Sequence, residues 1–98
     1  MEINALLMDP ADNVVTCVSE VAAGQAVVYR LGRDTLTLTA LEAIPYCHKV
    51  ALVDIGENEP VYKYGEMIGK TLHAIPKGGW VYHENIYSVP RDYDEEMI

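Results

Sequence analysis

Seven short runs rich in Val, Ile, Thr and Tyr, at 13–19, 25–31, 35–41, 49–55, 61–64, 71–75 and 80–81, are separated by Gly, Pro, Asn and Asp. No stretch of ten residues carries a convincing helical period; the best candidate, 38–44, is equally strand-like. Short strands with frequent turns and no alternation of strand and helix confine the chain to an all-β fold, a small sandwich or barrel. Local signals set some details. Thr35-Leu36-Thr37-Leu38-Thr39 alternates with period two, so the leucines face the core and the threonines face outward. Leu31-Gly32-Arg33-Asp34 reads as a hairpin connection in which Gly32 takes positive φ. Ile75-Pro76-Lys77-Gly78 suits a type I turn, and Pro60 can open an edge strand. No internal repeat is legible.

The 98 residues suffice for one domain with a small core and not for a separate catalytic scaffold. We expect that domain over 1–89, followed by an acidic mobile tail over 90–98. Half of the residues are apolar, but no run reaches the length of a membrane helix and the N-terminus lacks a basic leader segment. A cytoplasmic location is the expectation. A net charge of −8 opposes phosphate backbones and anionic lipid, so neither nucleic acid nor membrane is an expected partner. An anionic ligand would have to be met locally by Lys49, Lys63, Lys70 and Lys77. The two cysteines, Cys17 and Cys47, have neither zinc-site spacing nor disulfide-scaffold density, and reduced thiols are expected, with Cys17 as buried filler.

Several co-linear blocks carry a family resemblance: Asp12-Asn13-Val14-Val15, His48-Lys49-Val50-Ala51-Leu52, Lys63-Tyr64-Gly65-Glu66 and Ala74-Ile75-Pro76-Lys77-Gly78-Gly79-Trp80. Together they resemble the SAF-type domain of the altronate and galactarate dehydratases, a domain also found in sulfolactate sulfo-lyase. The resemblance covers roughly residues 7–85 and implies a β-clip fold. It further implies a small subunit of a hydro-lyase that acts on a sugar acid together with a large catalytic subunit, the chain alone doing no chemistry. A non-enzymatic binding or assembly module of the same domain type is the alternative, and a homo-oligomer is compatible with either.

The residues that could carry chemistry are few. His48 can shuttle a proton or bind a metal, or else bond a backbone carbonyl at a strand entrance. We assign it the catalytic role; the family usually has glycine before this histidine, where this chain has Cys47. Lys49 and Lys63 are the expected contacts to a substrate carboxylate, with Asn85 orienting it. Gly65 allows close backbone approach, and Glu66 reads as a solvated carboxylate. In Val81-Tyr82-His83-Glu84-Asn85 the chain departs from altronate-type relatives, whose His-x-His-Asn pair would ligate a metal from one strand face. Tyr82 and Glu84 stand in those places, with His83 between them, so Glu84 and His83 are the candidate ligands. A divalent metal, Fe²⁺ or Mn²⁺, is expected in the complex and none on the isolated chain. His73 reads as a surface histidine and Trp80 as a cap on the core.

Overall fold

The computed structural model describes residues 2–88; the expected tail at 90–98 lies outside them. Within these residues the chain is all-β, as its turn-punctuated runs require. A central antiparallel sheet contains β1 (Ala5–Leu6), β2 (Val14–Cys17), β5 (Lys49–Ala51) and β8 (Trp80–Val81), in the order β1-β2-β5-β8. On one face lies the hairpin of β3 (Ala26–Leu31) and β4 (Asp34–Thr39); on the other lies the sheet of β6 (Pro60–Lys63), β7 (Glu66–Thr71) and β9 (Ile86–Tyr87).

Alternation along the central strands divides two cores between the faces. Val15, Cys17 and Val50 join Val21, Val27, Leu38 and Ile44 on the first side. Their sequence neighbours Val14 and Ala51 join Ile55, Val61, Ile75 and Val81 on the second. Neighbours on a strand point to opposite faces, so a sheet flanked on both sides reads as a continuous apolar run.

A repeat that the sequence concealed links the layers. Val21, Ile44, Ile55 and Ile75 form two mutual bridges, Val21 with Ile44 and Ile55 with Ile75. Three residues after each comes a positive φ, at Gly24, Cys47, Asn58 and Gly78, and six residues after each comes a buried valine, Val27, Val50, Val61 and Val81. The expected type I turn at 75–78 is instead a type II turn one residue later. Gly79 N–H donates to the Pro76 carbonyl at 2.8 Å, with Gly78 at the third position, where positive φ is required.

The expected strands at 13–19, 25–31, 35–41 and 80–81 correspond to β2, β3, β4 and β8, and that at 49–55 ends as a strand at Ala51. Gly32 does take positive φ, Pro60 does open β6, and Leu38 is buried between exposed threonines. The expected strand at 71–75 is corrected: β7 occupies Glu66–Thr71 and only Ile75 bridges beyond it. Glu, Gly and Lys give β7 little strand propensity, and its pairing with β6 across a tight turn overrides that. Tyr64 lies in that turn rather than in a strand, with φ 59° followed by 73° at Gly65, the conformation of a type I′ hairpin.

Candidate functional site

The chemistry-bearing residues fall into two groups on opposite faces of the central sheet, and the β6–β7 hairpin is anchored to that sheet by the Asp12-Asn13 pair. The Asp12 carboxylate accepts N–H bonds from Tyr64 at 2.9 Å, Gly65 at 2.8 Å and Asp9 at 3.1 Å. Asn13 imitates a neighbouring strand, donating to the Pro60 carbonyl at 3.0 Å and accepting from Tyr62 N–H at 2.8 Å. Asn4 does the same for β3, with Ala26 and Val28. These contacts fix Lys63 at the end of β6. Sequence reasoning noted the Asp12-Asn13 block without finding this role.

Lys49 and Lys63 come together. Lys49 is half-buried, and its ammonium is held below the usual lysine range by burial and then by the positive charge of Lys63. Lys63 lies two residues along from the core residue Val61, with Nζ 5.0 Å from the centre of the Tyr64 ring. Lys70 and Lys77 lie outside this pair: Lys70 faces Tyr87 and Pro60 across β7, and Lys77 is exposed in its turn.

His48 belongs to a different group. Trp80 Nε1 donates to His48 Nδ1 at 3.0 Å, and the two rings meet edge-on with centroids 5.4 Å apart. Indole N–H can only donate, so Nδ1 is the acceptor and the ring hydrogen sits on Nε2. Trp80 packs against the first core, as expected of a cap, and stacks on Tyr82 at 3.8 Å. The Tyr82 hydroxyl is raised above its usual range by desolvation, then by its hydrogen bond to Glu84 and by the charges of Glu84 and Glu42. His48 precedes β5, and Lys49 pairs with Val81 while Val50 pairs with Trp80, so the aromatic group and the lysines lie on opposite faces of the sheet.

Asn85 is committed to structure. Its Oδ1 accepts from Tyr82 N–H at 2.8 Å, its amide donates to the Trp80 carbonyl, and it is buried. His83 and Glu84 are exposed in the same turn, His83 edge-on to Tyr82. Among the described residues no three His, Cys, Asp or Glu side chains are grouped to hold a metal ion, so these two donors do not make a centre by themselves. His73 is exposed, its Nδ1 bonded to the Ala74 carbonyl. Cys17 is buried in the first core and Cys47 is exposed; both are free thiols. Glu66 is exposed. A shallow depression of about 570 Å³, lined by Asn4, Val18 and Val28 among others, contains none of the candidate residues. No helix of the described residues is long and apolar enough to cross a membrane.

Comparison with known proteins places the domain in a family. Residues 3–89 match the family described as the altronate/galactarate dehydratase SAF domain. The (2R)-sulfolactate sulfo-lyase subunit alpha of Chromohalobacter salexigens is 36% identical over 89 residues, which cover 88% of this chain and 95% of that protein. Galactarate dehydratase (L-threo-forming) of Escherichia coli is 50% identical over 44 residues, 45% of this chain and 8% of the relative. Altronate dehydratase of Escherichia coli is 33% identical over 84 residues, 86% of this chain and 16% of the relative. The chain thus spans a small part of the two dehydratases and nearly all of the sulfo-lyase subunit. A domain match over almost every described residue, on an all-β frame, makes the chain a member of the altronate/galactarate dehydratase SAF domain family.

Proposed function

We propose that the chain is the small subunit of a hydro-lyase that acts on an altronate- or galactarate-like acid, working with a large catalytic subunit. One observation carries this reading. Over 88% of its length the chain aligns with a relative whose name marks it as a lyase subunit, at 36% identity, and its matches to the two dehydratases fall within 8% and 16% of those proteins. A domain of this size holds its two cores and little else, so the rest of the catalytic machinery belongs to the partner.

In such a dehydration a base removes the proton α to the carboxylate and the adjacent hydroxyl leaves as water after taking up a proton. The resulting enol becomes a keto acid. Negative charge grows on the carboxylate oxygens as the C–H bond breaks, and Lys49 and Lys63 are this chain's residues suited to oppose it. His48 offers the Nε2 hydrogen to the departing hydroxyl. Because His48 and Lys49 face opposite ways, one acid would meet both only around the end of β5. Asn85 acts indirectly, holding the turn that carries Tyr82. His83 and Glu84 would at most complete a divalent-metal site, Fe²⁺ or Mn²⁺, whose other ligands come from the partner.

The test is reconstitution. The isolated chain should be inert toward altronate, galactarate and (2R)-sulfolactate, and should form a stable complex with the large subunit that dehydrates altronate or galactarate; release of sulfite from (2R)-sulfolactate alone would overturn the hydro-lyase reading. Turnover by the chain alone would overturn the reading. Ligand binding with no catalytic partner would favour a binding or assembly module.

A further inference from the structure

Four polar side chains are buried among the described residues: Asp12, Thr16, Thr71 and Asn85. Three are satisfied. Asp12 accepts three backbone N–H groups, Thr71 bonds the Gly56 carbonyl and Glu59 N–H, and Asn85 closes its own turn. Thr16, only 8% exposed, is the exception: its Oγ1 has no hydrogen-bond partner among the described residues. Buried hydroxyls nearly always find partners, so this one requires a reason.

Its position supplies one. Thr16 pairs directly with Lys49 across β2 and β5. The flanking bonds, Cys17 N–H to the His48 carbonyl and Leu52 N–H to the Asn13 carbonyl, both at 2.9 Å, make Thr16 and Lys49 a non-hydrogen-bonded pair. Such pairs bring side chains on the same face closest together. That face also carries Val14, Ala51 and Val81, on which Val61 packs, and Lys63 follows Val61 at the next same-face position of β6. A half-buried ammonium ordinarily sits beside a carboxylate. Among the described residues the charge that acts on Lys49 is a second ammonium, that of Lys63, in a chain whose net charge is −8. Two cations and an unsatisfied hydroxyl on one patch of sheet are the parts of an anion site.

We propose that Thr16, Lys49 and Lys63 form an oxyanion site that receives one carboxylate or sulfonate group of an acid ligand, Thr16 donating its hydroxyl hydrogen and the lysines neutralising the charge. This deepens the reading above by adding Thr16 and by naming the group that is held. The ligand's charge separates the two lysines' fields, and its oxygens supply the partner the hydroxyl lacks.

The experiment uses the full chain, titrated with sulfate and with galactarate at constant ionic strength and followed by amide chemical shifts and thermal melting. The two anions should compete for one site, shift the amides of residues 16, 49 and 63, and raise the melting temperature. Lys49→Met and Lys63→Met should each weaken binding at least fivefold. Thr16→Val is the decisive variant, because it removes an unpaired hydroxyl without changing side-chain shape. It should melt at a higher temperature than the natural chain without anion, yet bind anions at least threefold more weakly. Unchanged affinity in Thr16→Val, a lowered melting temperature in that variant, or no competition between the two anions would overturn the proposal. None of these measurements uses turnover. A complex that acts on neither acid while the site binds would sink the proposed activity and leave the site standing.

Discussion

The Asp12 carboxylate holds the backbone N–H of Gly65 at 2.8 Å across 53 positions of sequence, closing the β6–β7 turn from the opposite end of the chain. With Tyr64 and Asp9 also donating to it, Asp12→Ala removes the acceptor of three N–H groups. We expect a loss of about 2–4 kcal/mol, at the upper range for bonds to a charged group, read by chemical denaturation. Asp12→Asn should recover only part, having one acceptor oxygen for bonds that use both. Hydrogen exchange should speed up first at Tyr64 and Gly65. Unchanged protection there would show that the turn holds itself.

The bond from Trp80 to His48 predicts a tautomer. Nitrogen-detected spectra of the neutral ring should place the hydrogen on Nε2 with Nδ1 as acceptor. Trp80→Phe keeps an aromatic ring over Tyr82 but removes the donor, so the two tautomers should mix. A dominant Nδ1–H form in the natural chain would contradict the geometry and return His48 to the role of a ligand through Nε2.

The two thiols should differ sharply. An aromatic disulfide reagent should titrate one cysteine per native chain, Cys47, and two after unfolding, since Cys17 is enclosed in the first core. Burial pushes the Cys17 thiol from 9.0 up to about 11. Between those values the unfolded chain releases a proton that the folded chain keeps. The contribution of Cys17 to stability is therefore complete below pH 9 and disappears as the pH rises through about 11. Lys49, lowered by burial and by Lys63, acts in the opposite sense: its cost is relieved as the pH climbs toward 10.5. Cys17→Ala should flatten the alkaline fall in melting temperature, whatever it costs at neutral pH.

Two turns that share one geometry should respond to substitution in opposite ways. Cys47 holds a φ of 68° where a side chain is disfavoured, so Cys47→Gly should stabilise by up to about 1 kcal/mol after the added freedom of the unfolded chain is subtracted. Gly78 sits at φ 88° with the Thr39 carbonyl oxygen only 2.2 Å from where a Cβ would be. Gly78→Ala should cost about 3 kcal/mol or more, through backbone strain and steric overlap together. Equal melting temperatures for the two variants would refute the comparison.

What the sequence made legible was local. The burial of Leu38 between two threonines, the Gly32 turn and the opening of β6 at Pro60 each depend on local preferences and appear as expected, whereas Leu36, also expected in the core, is half-buried and joins neither core. β7 was missed because its hold comes from β6 and β9 rather than from Glu66, Gly69 or Lys70. The fourfold spacing from an apolar residue to a positive φ to a buried valine was obscured because Gly, Cys and Asn all occupy the middle position. That Lys49 and Lys63 offer positive charge to an anion was legible from residue type alone. The place of Thr16 was not, since its pairing with Lys49 is a matter of register between strands more than thirty residues apart. Asn85 looked like a polar group free for a ligand until the Tyr82–Asn85 turn accounted for its atoms.

β5 is three residues long, and its odd and even positions serve different masters: Val50 fills one core, Ala51 the other, and Lys49 stands over Thr16. Slipping this strand by a single residue would exchange the contents of both cores and carry the ammonium to the indole side in the same movement. Structural fidelity and ligand chemistry are thus written in one parity. An insertion or deletion between Cys47 and Leu52 should abolish folding and anion binding together, whereas one at the Gly32-Arg33 turn leaves that parity untouched.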